Sequence, residues 1–271
     1  MYGIKEANLN EGYLERSNIK RANLIIETDL LEASLKQSYF AEVNLRGANL
    51  ERANFKKFNI KGTNFIGANF QKANLKGSNF EGANLREANF EGANLEGANL
   101  RETNLKWSNL KGAHLHKANL RESNLKEINL ERADLIKANL IMANLQGASL
   151  GEANLEGANL REVNLEGADL NWTILRGANL IGANLAGANF IGTNLEWASL
   201  IKANLQGANL KWASLEGTNL EGANLEGANL REAHYLSFDQ LSKVKTLHNT
   251  KLNEDIFKSL KEKHPTLFEV P

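Results

Sequence analysis

A large apolar residue recurs at every fifth position from Leu30 to Tyr235, and it is nearly always Leu or Phe. A small residue stands two positions before it, Asn, Asp or Ser usually stands one position before it, and two mostly polar residues follow. A period of five matches neither the α-helix, with about 3.6 residues per turn, nor the β-strand, whose side chains alternate with a period of two. The pattern therefore predicts neither a regular helix nor a long strand.

A single pentad explains the period. In an extended backbone, residues two apart face the same side, so Ala98 and Leu100 point inward and Asn99 points outward. If the next two residues turn a corner, Thr103 enters on the inner side again. Each pentad is then a very short strand followed by a corner, and the chain coils around a central column of Leu, Phe and small residues.

The glycines support the corners. All but three of the 22 glycines occupy the second position after the large residue. Gly97 would be the third residue of a four-residue turn, where a type II turn requires a positive φ. Corners that carry Glu122, Lys137 or Trp197 at this position are expected to use another turn type or to accept some strain. Both prolines lie outside the repeat, so no backbone donor is lost between coils.

The phrase Ala-Asn-Leu with two variable residues, seen at residues 98–102 and 158–162, closely resembles the repeat of pentapeptide-repeat proteins. The resemblance covers nearly the whole chain. It implies an all-β fold, a right-handed quadrilateral (four-sided) parallel β-helix solenoid, with four pentads in each coil. The number four comes from the resemblance, because the residues themselves show a period of five and not of twenty.

Three segments are expected along the chain. Residues 1–29 form irregular N-terminal coils, residues 30–235 a continuous pentapeptide-repeat β-helix, and residues 236–271 a short α-helical C-terminal cap. Ser237 to Gln240 predict a capping box that opens a first helix, and Asn253 predicts the cap of a second. The cap should cover the open end of the column, although a tail that docks a partner is the alternative. A similar tail occurs in cyanobacterial members of the family, which implies a cyanobacterial source.

Composition limits the remaining possibilities. The chain has no Cys, which excludes a disulfide framework and thiolate metal sites. It has no apolar stretch long enough to span a membrane and no secretory signal within residues 1–10. We expect a soluble cytoplasmic protein without membrane contact, and a monomer whose C-terminal end is capped.

Charge is balanced overall but unevenly distributed. Residues 36–137 hold 17 Lys and Arg against 11 Asp and Glu, whereas residues 138–235 hold 5 against 10. A rod with a basic first half and an acidic second half can pair head to tail or orient on a charged partner. Drift among freely variable outward positions is the alternative.

No catalytic, cofactor-binding or metal site is predicted. The chain shows no nucleophile with a base, no phosphate-binding loop and no paired carboxylates in a pocket, and a filled column leaves no cleft. His114 and His116 flank the inward Leu115, but two imidazoles without a third ligand make a weak metal site. These observations favour a protein that is not an enzyme.

Six apolar residues in the second half depart from the otherwise polar outer surface. They are Trp172, Trp197 and Trp212 at the second corner position, and Ile181, Ile191 and Ile201 at the first. With twenty residues per coil, Trp172 and Trp212 share a column with Gly192 between them. Clustered exposed apolar groups mark partner surfaces, so these residues are a candidate interaction surface. The alternative is that the indoles lie flat over glycine corners and aid packing only.

The sequence therefore predicts a non-enzymatic rigid scaffold, or protein-interaction module, with an unidentified protein partner. The family resemblance supplies an alternative, since some members resemble B-form DNA and protect type II topoisomerases from quinolones. Such mimicry requires continuous acidity, whereas this chain has zero net charge and a basic first half. Nucleic acid is not the expected partner, and direct DNA binding through the basic half is a further alternative.

Overall fold

The computed structural model describes residues 45–270, and the predicted N-terminal segment 1–29 lies outside them. The middle residue of each pentad forms a parallel bridge with the residue twenty positions later, from Asn49 with Asn69 to Ser214 with His234. Each coil therefore contains four pentads. The predicted fold, a right-handed quadrilateral β-helix with a short helical C-terminal cap, is confirmed.

Four faces and four edges describe every position on this solenoid. Faces A, B, C and D carry the bridged middle residues that recur every twenty positions, starting respectively at Asn49, Asn54, Asn59 and Asn64. Two corner residues separate consecutive faces. Edge AB starts with residues 51–52, edge BC with 56–57, edge CD with 61–62 and edge DA with 66–67.

The large and small inward residues fill the column. Leu100 and Ala98 are fully buried, as are their equivalents in the other coils. Phe70 and Phe90, which are twenty residues apart, stack on neighbouring coils, with ring centroids 4.7 Å apart and an angle of 4° between the ring planes. Each buried Leu or Phe contributes about 1.5–3 kcal/mol, but ordering costs about 1–2 kcal/mol per residue. A coil therefore depends on its neighbours for stability.

The corners all use one backbone conformation. Every second corner residue from residue 47 to residue 232 has a positive φ, whether it is glycine, as at Gly97 (62°), or not, as at Glu122 and Trp197 (both 59°). Of the two outcomes expected for non-glycine corners, the structure shows the strained one, at a cost of about 1–2 kcal/mol per residue. The next coil holds these corners in place, since the Glu122 N–H donates to the Ile141 carbonyl at 3.0 Å.

The outward Asn residues add a second set of hydrogen bonds. The Asn99 amide donates to the Asn79 side-chain oxygen on the previous coil at 3.0 Å. Its own side-chain oxygen accepts from the Arg101 backbone N–H at 3.2 Å, which fixes the start of the corner. The predicted Asn position therefore links neighbouring coils and supports the turn at the same time.

The C-terminal end of the column is closed first by helix α1, Phe238–Ser242. The predicted capping box is confirmed, because the Ser237 hydroxyl accepts from the Gln240 N–H and the Gln240 side chain accepts from the Ser237 N–H. The Gln240 amide also donates to the carbonyls of Leu215 and Thr218 at 2.7 and 2.9 Å. It thereby satisfies backbone acceptors where the ladder of face C ends.

Beyond α1 the chain returns briefly to the solenoid. Thr246 bridges Asn224 and Lys251 bridges Asn229, a step of twenty-two residues because α1 adds length. Helix α2, Glu254–Lys263, and a 3-10 helix, Pro265–Phe268, then cover this last partial coil.

The prediction for Asn253 is only half right. Asn253 occupies the N-cap position of α2, but its side chain makes no hydrogen bond to that helix. Its oxygen accepts instead from the Glu232 backbone N–H at 3.1 Å. Glu232 belongs to the last full turn of the repeat, where its N–H has no following pentad to pair with, so Asn253 ties α2 to the solenoid.

Candidate interaction surface

The three predicted tryptophans flank face B. Trp172 and Trp212 lie on edge AB, two coils apart, and Trp197 lies on edge BC in the coil between them. Their exposed fractions are 58%, 42% and 60%, respectively. Ile174, in the middle of face B, is 39% exposed and was not predicted. Both edges of this face therefore present apolar side chains over a length of about 10 Å.

Two of these indoles rest on glycine corners of the next coil. A methyl group added at Gly192 would come within 2.5 Å of the Trp172 ring, and Trp197 lies against Gly217 in the same manner. The predicted packing of indoles over glycine is thus present for Trp172 and Trp197. The other side of each ring stays open to solvent. The two indoles therefore pack against the next coil and remain accessible to a partner.

Trp212 is held by a carboxylate rather than by glycine. Its indole N–H donates to the Glu232 side chain on the next coil, and the Lys211 ammonium lies 4.2 Å from the ring centroid. The hydrogen bond from Trp212, together with the nearby Lys211, holds the pKa of Glu232 below its ordinary value. The indole is therefore fixed in orientation while 42% of the residue remains exposed.

Trp107 has surroundings like those of Trp212 but lies elsewhere on the solenoid. It lies on edge DA, in the basic half, and donates its indole N–H to Glu127 at 2.9 Å. The Lys106 ammonium and the Arg86 guanidinium lie 3.8 and 4.8 Å from its ring. Trp107 is as exposed as Trp212, at 42%, but it lies away from face B, which makes it a suitable control for the other three.

The predicted isoleucines divide between two places. Ile191 lies on edge AB, in the coil between Trp172 and Trp212, and is half-buried. Ile181 and Ile201 are also half-buried but lie on edge CD, diagonally opposite, because a ten-residue step is half a coil. The six predicted residues thus do not form one surface. We use the name tryptophan patch for Trp172, Ile174, Ile191, Trp197 and Trp212.

A pocket of about 420 Å³ lies between the last coil and α1. The prediction that the filled column leaves no cleft overlooked it. Asn219 forms a β-bridge with Ser199 of the previous coil but with no later residue. The pocket exists because α1 takes the place of the strand that would otherwise cover Asn219. Polar side chains line most of it, including Glu221, Ser237 and Lys243.

Comparison with known proteins identifies the repeat. The family model for pentapeptide repeats matches eight copies between residue 26 and residue 234, most of which overlap. The chain belongs to the pentapeptide-repeat family. No protein of curated function matched the sequence.

The solved structure of HetL gives the same result. HetL, a pentapeptide-repeat protein involved in heterocyst differentiation regulation from the cyanobacterium Nostoc sp. strain PCC 7120, is 33% identical, with a TM-score of 0.66. The match covers 79% of this chain and 92% of HetL. Rfr23 from the cyanobacterium Cyanothece 51142 is 30% identical, with a TM-score of 0.38. The match covers 48% of this chain and 88% of Rfr23. QnrB1, a plasmid-mediated fluoroquinolone resistance protein, is 19% identical, with a TM-score of 0.35. The match covers 83% of this chain and 96% of QnrB1.

His114 and His116 lie in one coil of this pentapeptide-repeat protein. His114 is exposed on face B, where its backbone forms a β-bridge with Asp134 on the next coil. His116 lies on edge BC. Within residues 45–270, no three side chains of the metal-ligating types come together. No helix in that same range is long and apolar enough to cross a membrane.

Proposed function

We propose that this pentapeptide-repeat protein is a non-enzymatic rigid scaffold that presents its tryptophan patch to another protein. One observation carries the proposal. Three exposed indoles flank a single face, and each is held against the next coil by glycine or by a carboxylate. Trp is the residue type most enriched among those that dominate binding energy at protein interfaces.

The rigidity of the solenoid favours binding at this patch. Backbone hydrogen bonds attach each coil to the next, such as that from the Trp172 N–H to the Ile191 carbonyl at 2.9 Å. Side chains that are already ordered lose little conformational entropy when a partner binds. HetL provides a related solenoid that is involved in a regulatory process, which is consistent with a scaffold role here.

The test compares the triple variant Trp172→Ala/Trp197→Ala/Trp212→Ala with Trp107→Ala. The wild-type protein and both variants are used for affinity purification from the native cell, and captured proteins are quantified by mass spectrometry. Since truncating a central interface residue costs about 2 kcal/mol or more, the triple variant should lose its specific partners almost completely.

Trp107→Ala removes an exposed indole on edge DA, and it should capture the same partners as the wild type. Circular dichroism verifies that each variant remains folded. A folded triple variant that captures wild-type amounts of the same partners would reject the tryptophan patch as the binding surface.

A further inference from the structure

Edge BC carries an ordered series of charges. Its first corner residues, one from each coil, are in order Lys56, Lys76, Glu96, His116, Ile136, Glu156, Arg176, Glu196 and Glu216. Ile136 stands at the centre of this series. The residues before it are basic or His with a single acid, and those after it are acidic with a single base.

Reversing the series about Ile136 places opposite charges against each other in three pairs and sets His116 against a carboxylate. The resulting pairs are Lys56 with Glu216, Lys76 with Glu196, Glu96 with Arg176, and His116 with Glu156. A simple gradient from basic to acidic would not produce the third pair. Glu96 and Arg176 are each the exception in their own half, and the reversal matches the two exceptions to each other.

We infer that two copies of this chain pair side by side and antiparallel along their BC edges, with Ile136 on the two-fold axis. A two-fold contact uses the same surface on both partners and must therefore be self-complementary. The charge series on edge BC meets this requirement. This pairing differs from the monomer expected from the sequence, and it goes beyond the proposed scaffold function.

Ion pairs within one chain fit the same arrangement. The Lys76 ammonium lies 2.6 Å from the Glu96 carboxylate, and Arg176 lies 4.0 Å from Glu156. In the pair of chains, Lys76 and Glu96 face Glu196 and Arg176 of the other copy, so four charges alternate around a square. Charges in such networks contribute more than isolated exposed pairs.

The neighbouring corner residues are also compatible in shape. The reversal brings Trp197 of one copy opposite Gly77 of the other, and Gly77 has no side chain to obstruct the open side of the indole. Among the corner residues of this edge, only Lys137 meets a like charge. It lies beside the two-fold axis and faces Lys137 of the other copy. Its long flexible side chain allows the two ammonium groups to separate.

The other edges do not show this match. On edge CD the equivalent central residue is Ile141, and reversal there places Arg121 opposite Arg161. Edge AB, with Trp172 and Trp212, stays open in the proposed pair of chains. The pairing and the binding of a different partner at that edge are therefore separable by mutation.

The size of the contact predicts a weak association. Eight coil steps of about 4.8 Å make a strip roughly 40 Å long, but only one edge wide. Such an interface lies at the lower end of the range for specific complexes. Because the facing groups are mostly charged and partly exposed, the association should weaken as ionic strength rises.

Sedimentation equilibrium of the full chain at low and high salt tests the inference with two charge reversals. Lys56→Glu/Lys76→Glu and Glu196→Lys/Glu216→Lys each place like charges opposite one another in a homodimer. Four pairs per dimer become repulsive, so each variant should dimerise at least about tenfold more weakly than wild type at low salt. An equimolar mixture of the two variants restores all four pairs and should dimerise again.

Lys72→Glu/Lys202→Glu is the matched control. It changes the net charge by the same amount as Lys56→Glu/Lys76→Glu, but on edges AB and CD, so it should dimerise like wild type. Three outcomes would overturn the inference. The first is a wild-type chain that stays monomeric at about 100 μM in low salt. The others are reversal variants that dimerise like wild type, or a mixture of the two variants that does not dimerise. All variants keep Trp172 and Trp212 on edge AB, so partner capture through that edge can be measured separately from dimerisation.

Discussion

Replacing Phe70 by Ala will lower the free energy of unfolding by about 3–5 kcal/mol, the range found when a buried aromatic residue is truncated. Phe70 is fully buried and stacks on Phe90 at 4.7 Å. It also packs edge-on against Phe65 at 5.0 Å and Phe80 at 6.0 Å. The substitution leaves a cavity that the rigid coils on both sides cannot close.

Phe190→Ala is the matched control, since Phe190 is equally buried but lies in the leucine-rich part of the column. Aromatic pairs add about 0.5–1.5 kcal/mol beyond area burial, so Phe70→Ala should be the more destabilising. Urea denaturation followed by circular dichroism compares the two variants. Hydrogen exchange should accelerate mainly in the coils around Phe70, because a solenoid is stabilised through nearest neighbours. Equal loss in both variants would contradict a specific contribution from the ring cluster.

Leu241→Asp will detach the C-terminal cap and make the protein aggregate. Leu241 is fully buried where α1 covers the end of the column, and an unpaired carboxylate at such a site costs several kcal/mol. Loss of α1 also frees Gln240 from the two carbonyls that it satisfies. The uncovered core and open strand edges then become available for association with other chains.

Lys245→Asp introduces the same side chain at a nearby exposed position and should behave like wild type. Light scattering after gel filtration measures aggregation, and limited proteolysis reports detachment of the segment that follows Tyr235. If Leu241→Asp stayed as monodisperse and as protease-resistant as Lys245→Asp, the helices would not be required as a cap.

The sequence determines the local structure of the coil better than its register. Spacings such as that between Ala98 and Leu100 predict a short strand, and glycines such as Gly97 predict the corner. The twenty-residue coil followed only from family resemblance, because an uninterrupted period of five fits any number of sides. The strain accepted at Glu122 was left open as well, since it depends on hydrogen bonds supplied by a neighbouring coil.

The tryptophan patch was predictable only in part. The column of Trp172, Gly192 and Trp212 follows directly from a twenty-residue coil, whereas Ile181 and Ile201 join it only if positions along the sequence are mistaken for positions in space. Ile174 carried a signal that was overlooked. From residue 49 to residue 234 it is the single apolar residue at the bridged middle position, which otherwise holds Asn, Asp, Ser or His.

The C-terminal end was the least predictable part in detail. Helix starts at Ser237 and Asn253 can be recognised from local capping patterns. The contacts of Gln240 with the last coil, and of Asn253 with Glu232, depend on where the helices dock. The pocket above Asn219 arises from the same docking, and no local pattern in the sequence reports it.

Disulfide formation between engineered cysteines tests most directly the claim that positions twenty residues apart lie side by side. The chain has no natural Cys, and the Gln71 amide donates to the Glu91 carboxylate on the next coil at 3.3 Å. A spacing of about 4.8 Å between coils lies within the Cα separations that a disulfide allows. Gln71→Cys/Glu91→Cys should cross-link within one chain under mild oxidation, whereas Gln71→Cys/Glu81→Cys should not, because residue 81 lies on the diagonally opposite edge. Cross-linking of the second pair, or failure of the first, would contradict the twenty-residue coil on which every assigned surface depends.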